Sequence, residues 1–229
     1  MLMKSALSAF TLVLAVSIGA TANAALVTYD ATDILGNVDG WGLLFDNAAT
    51  GDSFSDNAGV LEYSTPDNPG GRMQKLAPIF GGEGSYLVTV SANVDAPQNG
   101  LDGLQIWMGN GSAGGIFAIS ATGLSNNGDA IQTSVDNTTG FNTYSFFFDE
   151  SDSLFDIAYN GSIIATDVTP GGNTGDRLYV GDGQSTAHSG NVAISQIGVD
   201  LMATAVPEPA SLALAGLAVI GFVWSRRCR

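Results

Sequence analysis

Apolar and polar residues alternate in short runs through most of the chain between residues 25 and 205. The clearest run covers residues 86–95, where every even-numbered position is apolar: Tyr86, Val88, Val90, Ala92 and Val94. The odd-numbered positions from 89 to 95 are polar. This period of two is typical of a strand that buries one face and exposes the other. The same pattern predicts further strands at residues 60–63, 104–108, 115–120, 130–134, 143–149 and 192–200.

Glycine, asparagine, aspartate, serine and threonine interrupt these runs at short intervals, which marks turns. No segment of residues 25–205 keeps a helical period over three turns. The pattern therefore predicts an all-β domain, built as a two-sheet antiparallel sandwich. Roughly 180 residues suit a single domain of this kind and are enough for a hydrophobic core.

One hairpin is specified by its turn. Asn160 and Gly161 separate two β-prone runs. The Asn-Gly pair supplies the positive φ angles of a type I′ turn, which is the favoured two-residue connection between antiparallel strands. The period of two then places Phe155, Ile157 and Tyr159 on one face of the first strand of the hairpin.

The order of elements around this hairpin resembles the concanavalin/laminin-G-like jelly roll. A strand at residues 144–149 precedes the hairpin, a strand at residues 177–183 follows it, and a last strand at residues 192–200 closes the sheet. The resemblance covers about residues 141–200 and implies a jelly-roll sandwich. This fold hosts lectins, adhesion modules and glycoside hydrolases, so the fold alone leaves the function open.

The first 24 residues have the pattern of a signal peptide. A short basic region ends at Lys4, an apolar run covers residues 6–20, and Ala22 and Ala24 form an A-x-A cleavage site. Cleavage by signal peptidase at this site starts the mature chain at Ala25. A retained N-terminal anchor is the alternative.

The last 24 residues combine a proline break, an apolar segment and a basic end. Pro207, Glu208 and Pro209 come first, a transmembrane segment is predicted at residues 210–225, and residues 226–229 (Arg-Arg-Cys-Arg) close the chain. The apolar run makes roughly 22 Å of helix, short against a hydrocarbon core of about 30 Å, so bilayer thinning and snorkelling arginines must extend the span. The arginines favour a cytoplasmic C-terminus. A buried core helix is the alternative.

This tail, residues 206–229, resembles the PEP-CTERM sorting signal of Gram-negative bacteria that make exopolysaccharide. The resemblance implies a protein that is exported, held transiently in the inner membrane, and processed near Pro207, Glu208 and Pro209 by an exosortase. The mature protein is then expected at the cell surface or outside the cell. Residues 25–205 remain as the single sandwich domain.

The sandwich domain is strongly acidic. It holds all of the 22 acidic residues of the chain except Glu208, and its only basic residues are Arg72, Lys75 and Arg177. With 21 acidic and three basic residues, its formal charge is −18. Such a surface repels nucleic acid, so we expect no nucleic-acid partner. The only cysteine, Cys228, lies in the tail, and this excludes a disulfide framework in the domain.

No set of catalytic residues is predicted. Hydrolases of the fold that this chain resembles carry carboxylates on one strand in a pattern like E-x-D-x-E, and the nearest match is Glu150 with Asp152, followed by Leu154. A retaining pair needs two carboxyl groups about 5 Å apart. Residues 149–152 fall between two predicted strands, so a solvated acidic turn is favoured. His188, the only histidine, lies in a Gly/Ser/Thr-rich loop, and a histidine-based zinc site is excluded because the domain offers no other nitrogen or sulfur ligand.

We assign no cofactor, and calcium is the one ion that the composition leaves open. Calcium takes oxygen ligands from carboxylates, amides and backbone carbonyls. The candidate loops are residues 52–57, Asp95 with Asp102, residues 149–152, and Asp176 with Asp182. None matches an EF-hand, and solvated turns are the alternative, so no metal ligand is named.

A sugar site needs an exposed aromatic ring beside polar side chains. Trp41, between Gly40 and Gly42, is the candidate for such a ring, with core packing as the alternative. Trp107, between Ile106 and Met108, is expected in the core.

These observations predict an exported, non-enzymatic module of the cell surface or extracellular matrix that binds glycan or another matrix component, and exopolysaccharide or another glycan is the candidate partner. A carbohydrate-active enzyme that uses Glu150 and Asp152 is one alternative. A purely structural matrix protein without a ligand site is the other.

Overall fold

Two antiparallel β-sheets pack against each other through an apolar core in the computed structural model of the protein. The structure describes residues 27–45, 53–65, 72–75, 79–80, 84–95, 103–172, 175–181 and 190–202. Nearly all regular elements in these ranges are strands joined by turns. The all-β, two-sheet sandwich predicted from the alternation is confirmed.

The strands are numbered in chain order. They are β1 (Val27–Tyr29), β2 (Trp41–Phe45), β3 (Ser53–Asn57), β4 (Val60–Thr65), β5 (Arg72–Lys75), β6 (Ser85–Asp95), β7 (Leu104–Gly109), β8 (Gly114–Ser120), β9 (Gly123–Asn126), β10 (Asp129–Thr133), β11 (Asn142–Asp149), β12 (Leu154–Tyr159), β13 (Ser162–Val168), β14 (Arg177–Gly181) and β15 (Gly190–Met202). A short helix α1 (Ala31–Leu35) and a 3-10 turn (Val38–Gly40) follow β1. All seven strands predicted from the alternation are present, with ends that differ by a few residues.

The order of the strands within each sheet differs from their order in the chain. The eight-stranded sheet has the order β13-β12-β11-β6-β15-β4-β3, and β1 pairs with the C-terminal half of β15. The seven-stranded sheet has the order β10-β9-β8-β7-β14-β5-β2. In this second sheet β14 lies between β5 and β7, so strands that are distant in sequence become direct neighbours.

The inner face of β6 carries the alternation that the sequence shows. Its five even-numbered apolar side chains are buried, while the residues between them are partly exposed. The long strand β15 pairs along the whole of β6, which places this face at the centre of the eight-stranded sheet.

Aromatic side chains join the two sheets. Phe117 of β8 contacts Phe146 and Phe155 of the eight-stranded sheet, with ring centroids 4.7 and 5.1 Å apart. Phe155 also contacts Phe148 at 5.1 Å and meets Tyr86 edge-on at 6.2 Å. Edge-to-face and tilted contacts at these distances add to the gain from burial.

The hairpin predicted at Asn160 and Gly161 is confirmed. The two residues join β12 to β13 with φ angles of 47° and 79°. Phe155 and Ile157 are buried, and Tyr159 packs against the core from the same face. The side chain of Asn160 also accepts a hydrogen bond from the backbone N–H of Thr143, which ties the turn to β11.

Two more hairpins use the same kind of turn. Asn127 and Gly128 join β9 to β10 with φ angles of 48° and 93°, and Ala58 and Gly59 join β3 to β4 with φ angles of 54° and 88°. Positive φ at both central residues is the mark of a type I′ turn, whose twist matches that of the flanking strands.

The predicted signal peptide at residues 1–24 and the tail at residues 206–229 lie outside the described residues. Within the described ranges, no helix has the length and apolar character needed to cross a membrane.

Candidate functional site

Trp41, the predicted sugar-binding ring, lies in the core. It is the first residue of β2, and only 1% of its surface is exposed. Its indole meets the ring of Tyr29 edge-on, with the centroids 5.5 Å apart. This placement favours the packing alternative, because a buried ring offers no face to a sugar.

Glu150 and Asp152 lie in the turn between β11 and β12, on the eight-stranded sheet. The carboxylate of Asp152 accepts a hydrogen bond from the backbone N–H of Leu154 at 3.0 Å. The neighbouring Asp149 accepts one from the backbone N–H of Ser151, and hydrogen bonds from Ser151 hold the pKa of Asp149 below its usual range. The carboxylates of Asp149 and Asp152 thus cap backbone N–H groups of this turn.

Two of the loops considered for calcium use a carboxylate for hydrogen bonds within the protein. Asp56 accepts hydrogen bonds from the backbone N–H of Gly59 and from the hydroxyl of Thr32. Asp176 accepts from the backbone N–H groups of Ile79 and Phe80. Among the described residues, no three acidic, histidine or cysteine side chains come together as metal ligands.

The other members of those proposed calcium loops, Asp52, Asp102 and Asp182, lie outside the described residues, as does His188. Calcium binding at these loops is therefore untested, and solvated turns stay the alternative.

Trp107 is not a core residue, contrary to the expectation from its apolar neighbours. Ile106 and Met108 point into the core and are fully buried, while Trp107 between them lies on the opposite, outer face of the seven-stranded sheet and is partly exposed. Its indole N–H donates to the side-chain oxygen of Gln105 at 2.8 Å. The ring meets Tyr179, its cross-strand partner on β14, edge-on with the centroids 5.9 Å apart.

Arg177 completes this arrangement. Its guanidinium group lies over the ring of Tyr179, with Cζ 5.4 Å from the ring centroid, and donates a hydrogen bond to the hydroxyl of the same tyrosine. A Cβ atom at Gly175 would overlap the guanidinium group, so the absence of a side chain there makes room for it. We name these residues, Gln105, Trp107, Arg177 and Tyr179, the Trp107 cluster.

Small residues surround Gln105 on the outer face of the sheet. Gly181 is its cross-strand partner on β14, and Ala118 followed by Ser125 continues the same row on β8 and β9. Gln105 itself is 2% exposed. The Trp107 cluster therefore has polar and aromatic groups fixed by the sheet beside a row of small side chains.

A polar hollow of about 430 Å³, separate from the Trp107 cluster, lies on the outer face of the eight-stranded sheet. Glu62, Asn93, Asp95 and Asn191 supply most of its polar lining. The amide of Asn57 donates to Glu62, and that of Asn93 donates to the backbone carbonyl of Thr138. Among the described residues that line it, Tyr63 is the one aromatic residue, and it is buried, so these residues offer no open ring surface.

The end of the chain can be compared with known sequence families. Residues 205–227 match the model of the PEP-CTERM protein-sorting motif. The chain carries a PEP-CTERM sorting motif. The match confirms the resemblance seen in Pro207, Glu208 and Pro209 with the apolar and basic residues behind them. The PEP-CTERM motif marks an exported protein that is processed at the membrane.

No curated protein sequence matches the chain. Solved structures do resemble the fold at low identity. A sialidase superposes with a TM-score of 0.58 at 10% identity, over 79% of this chain and 19% of that one, so the chain spans about a fifth of the sialidase. The β-glucanase of Bacillus licheniformis reaches 0.52 at 11% identity, over 76% of this chain and 97% of the other. The Crh5 transglycosylase, in complex with NAG, reaches 0.52 at 13% identity, over 78% and 85%.

These similarities establish a jelly-roll sandwich of the concanavalin type. At such identities they show the fold alone. The Trp107 cluster was not predicted from the sequence, although a signal for it was present. The period of two groups Trp107 with Gln105 and separates it from Ile106 and Met108, and the apolar character of the run hid this alternation.

Proposed function

We propose that this exported, sorted protein is a non-enzymatic glycan-binding module of the cell surface or extracellular matrix, and that the Trp107 cluster is its binding face. The observation that carries the proposal is the partly exposed indole of Trp107, fixed between the side chains of Gln105 and Tyr179. Ligand sites in proteins commonly combine an apolar or aromatic surface with a few precisely placed polar groups.

The chemistry of the Trp107 cluster suits a sugar. A sugar ring has an apolar face of C–H groups, which packs on an aromatic ring, and hydroxyl groups around its rim, which need hydrogen-bond partners. The guanidinium of Arg177 supplies donors on the same face as Trp107, and the buried amide of Gln105 holds the indole by accepting its N–H. Because the sheet holds these groups in register, little side-chain entropy is lost on binding.

The distribution of carboxylates favours binding over catalysis. Glycoside hydrolysis needs two carboxyl groups that flank the bond to be cut, about 5–9.5 Å apart. In the strands of the seven-stranded sheet the only acidic residue is Asp129, which begins the edge strand β10, three strands away from β7. Glu150 and Asp152 belong to the other sheet.

Trp107→Ala tests the binding face. Loss of the ring should weaken the affinity for the glycan at least tenfold, which is about 1.4 kcal/mol, as for an aromatic residue at the centre of an interface. The measurement is isothermal titration of the secreted domain with glycans found by a binding array. Phe141→Ala is the matched control, because Phe141 is 47% exposed and lies beside the eight-stranded sheet. Equal affinities for wild type and Trp107→Ala would exclude the Trp107 cluster as the site.

The solved structures that share the fold support one alternative, since the three described above include a β-glucanase and a transglycosylase. The enzyme hypothesis requires Glu150. The domain is incubated with a panel of polysaccharides, and new reducing ends are then detected. This measurement distinguishes the enzyme hypothesis from the binding hypothesis. We expect no release of products. Release that is abolished by Glu150→Gln would replace the binding hypothesis with a carbohydrate-active enzyme.

The sorting motif and the signal peptide predict which residues the mature protein keeps. Signal peptidase acts after Ala24 and an exosortase acts near Pro207, Glu208 and Pro209, so the mature protein lacks both ends of the chain. Intact-mass spectrometry of the protein from its native host should give an N-terminus at Ala25 and a loss near the PEP sequence. A mature protein that retains Arg229 would contradict exosortase processing.

A further inference from the structure

The few positive charges of the sandwich domain are all in one sheet. Arg72, Lys75 and Arg177, its only basic residues, lie on the neighbouring strands β5 and β14 of the seven-stranded sheet. The strands of this sheet contain one acidic residue, Asp129, whereas the strands of the eight-stranded sheet contain seven acidic residues and no basic one. The two sheets therefore differ in the sign of their charge.

The outer face of the seven-stranded sheet is the less acidic face of the sandwich. Arg177 shares this face with Tyr179 and Trp107, as the pairing of β14 with β7 shows. The strands of the eight-stranded sheet, with their seven acidic residues, repel an anion. A ligand that carries negative charge is therefore better placed beside Arg177 than on the other sheet.

Arg177 is the basic side chain whose surroundings the structure describes. Its guanidinium lies between the backbone at Gly175 and the ring of Tyr179, which fixes its orientation. One of its five N–H groups donates to the hydroxyl of Tyr179, and no carboxylate among the described residues forms an ion pair with it. The Nε and Nη2 atoms lie against the backbone at Gly175, so a carboxylate would bind at the outer edge of the guanidinium, through N–H groups of Nη1 and Nη2.

We infer that the Trp107 cluster selects an acidic sugar, a hexuronate unit of an anionic polysaccharide, whose carboxylate binds Arg177 while its ring packs on Trp107. This inference rests on the proposed function, because it uses the same face. Tyr179 lies between Trp107 and Arg177, so that the aromatic ring and the cation flank it on one surface. The selection of a charged ligand by Arg177 and the packing of its ring on Trp107 contribute separately to the affinity.

The test uses pairs of ligands that differ only in charge. Oligogalacturonate and oligomannuronate are compared with their methyl esters, and neutral glucans are included, all at one salt concentration because screening changes every charge interaction. We expect the wild-type domain to bind an acid form at least tenfold more tightly than its ester. In Arg177→Gln this preference should be lost, while the weaker affinity for the ester is retained.

Two variants distinguish a specific contact between Arg177 and the ligand carboxylate from a general effect of net charge. Ile163→Glu lowers the net charge by one, as Arg177→Gln does, but acts at a 70% exposed residue of β13 on the other sheet, and it should leave the preference unchanged. Gly175→Ala keeps the positive charge and displaces the guanidinium, so it should reduce the preference. Thermal unfolding of each variant checks that it is folded.

The outcomes separate this inference from the proposed function. Binding of neutral or esterified oligosaccharides that depends on Trp107 but shows no preference for the acid would overturn the inference and leave the proposed function standing. A preference for the acid that survives Arg177→Gln would also overturn it. Absence of binding to every oligosaccharide would overturn both.

Discussion

Replacing Phe155 with alanine is expected to lower the free energy of unfolding by about 3–5 kcal/mol. Phe155 is fully buried on β12, and its ring contacts Phe117 of the opposite sheet together with Phe148 and Tyr86 of its own sheet. Alanine removes the apolar surface and leaves a cavity between the two sheets, where the rigid strands on either side limit collapse.

The measurement is chemical denaturation of the sandwich domain, followed by intrinsic fluorescence. The midpoint should shift while the slope against denaturant stays the same, which identifies a change of stability. Phe141→Ala makes the same chemical change at a residue that is 47% exposed, and its effect should stay within about 0.5 kcal/mol. Similar losses for the two variants would mean that the Phe155 ring does not join the sheets.

The sequence predicted the strands because each strand carries its own local signal. On β6 the alternation assigns five side chains to the core, and the structure buries all five. The turn at Asn160 and Gly161 was equally local, since two residues determine its φ angles. Where a pattern is complete within about ten residues, single-sequence reasoning is sufficient to identify the element.

The arrangement of the strands was beyond local reasoning. In the seven-stranded sheet β14 lies between β5 and β7, and this order depends on pairs of residues that are about 70 to 110 positions apart in the chain. The Trp107 cluster depends on this pairing, because Tyr179 and Arg177 come from β14 and Gln105 and Trp107 from β7. No segment of the sequence contains the whole cluster.

The two tryptophans of the sandwich domain show how exposure depends on tertiary position. Trp41 lies between two glycines, which suggested an accessible loop, yet it begins β2 and its ring packs beside Tyr29. Trp107 lies between apolar residues, which suggested the core, yet the pleat turns it outward. Strand parity decides both cases, and the apolar character of the neighbours does not.

Backbone conformation at the turns also corrects an expectation from the sequence. Gly128, in a polar stretch, is expected from sequence to tolerate a β-branched residue better than Gly161. In the structure, however, Gly128 has a φ of 93° in a two-residue turn of the same kind. Neither glycine has an atom within 4 Å of where a Cβ would lie, so the cost of a side chain at both is conformational. The two positions should therefore respond alike.

Gly161→Val is expected to lower the stability by about 1–3 kcal/mol, because a β-branched residue is strained at a φ of 79°. For a domain of this size the melting temperature should fall by about 2–4 °C per kcal/mol. Gly128→Val should give a similar loss. Gly42→Val is the matched control, since Gly42 lies within β2 without a positive φ and its Cβ would make only ordinary contact with Asn37.

Asparagine separates backbone strain from the mere presence of a side chain at this position. Asparagine tolerates the left-handed region far better than valine, so Gly161→Asn should restore most of the stability that Gly161→Val loses. Differential scanning calorimetry of the four variants and the wild type measures these differences. If Gly161→Val melts with the wild type, or if Gly161→Asn melts as low as Gly161→Val, then the positive φ at Gly161 is not what the β12–β13 hairpin requires.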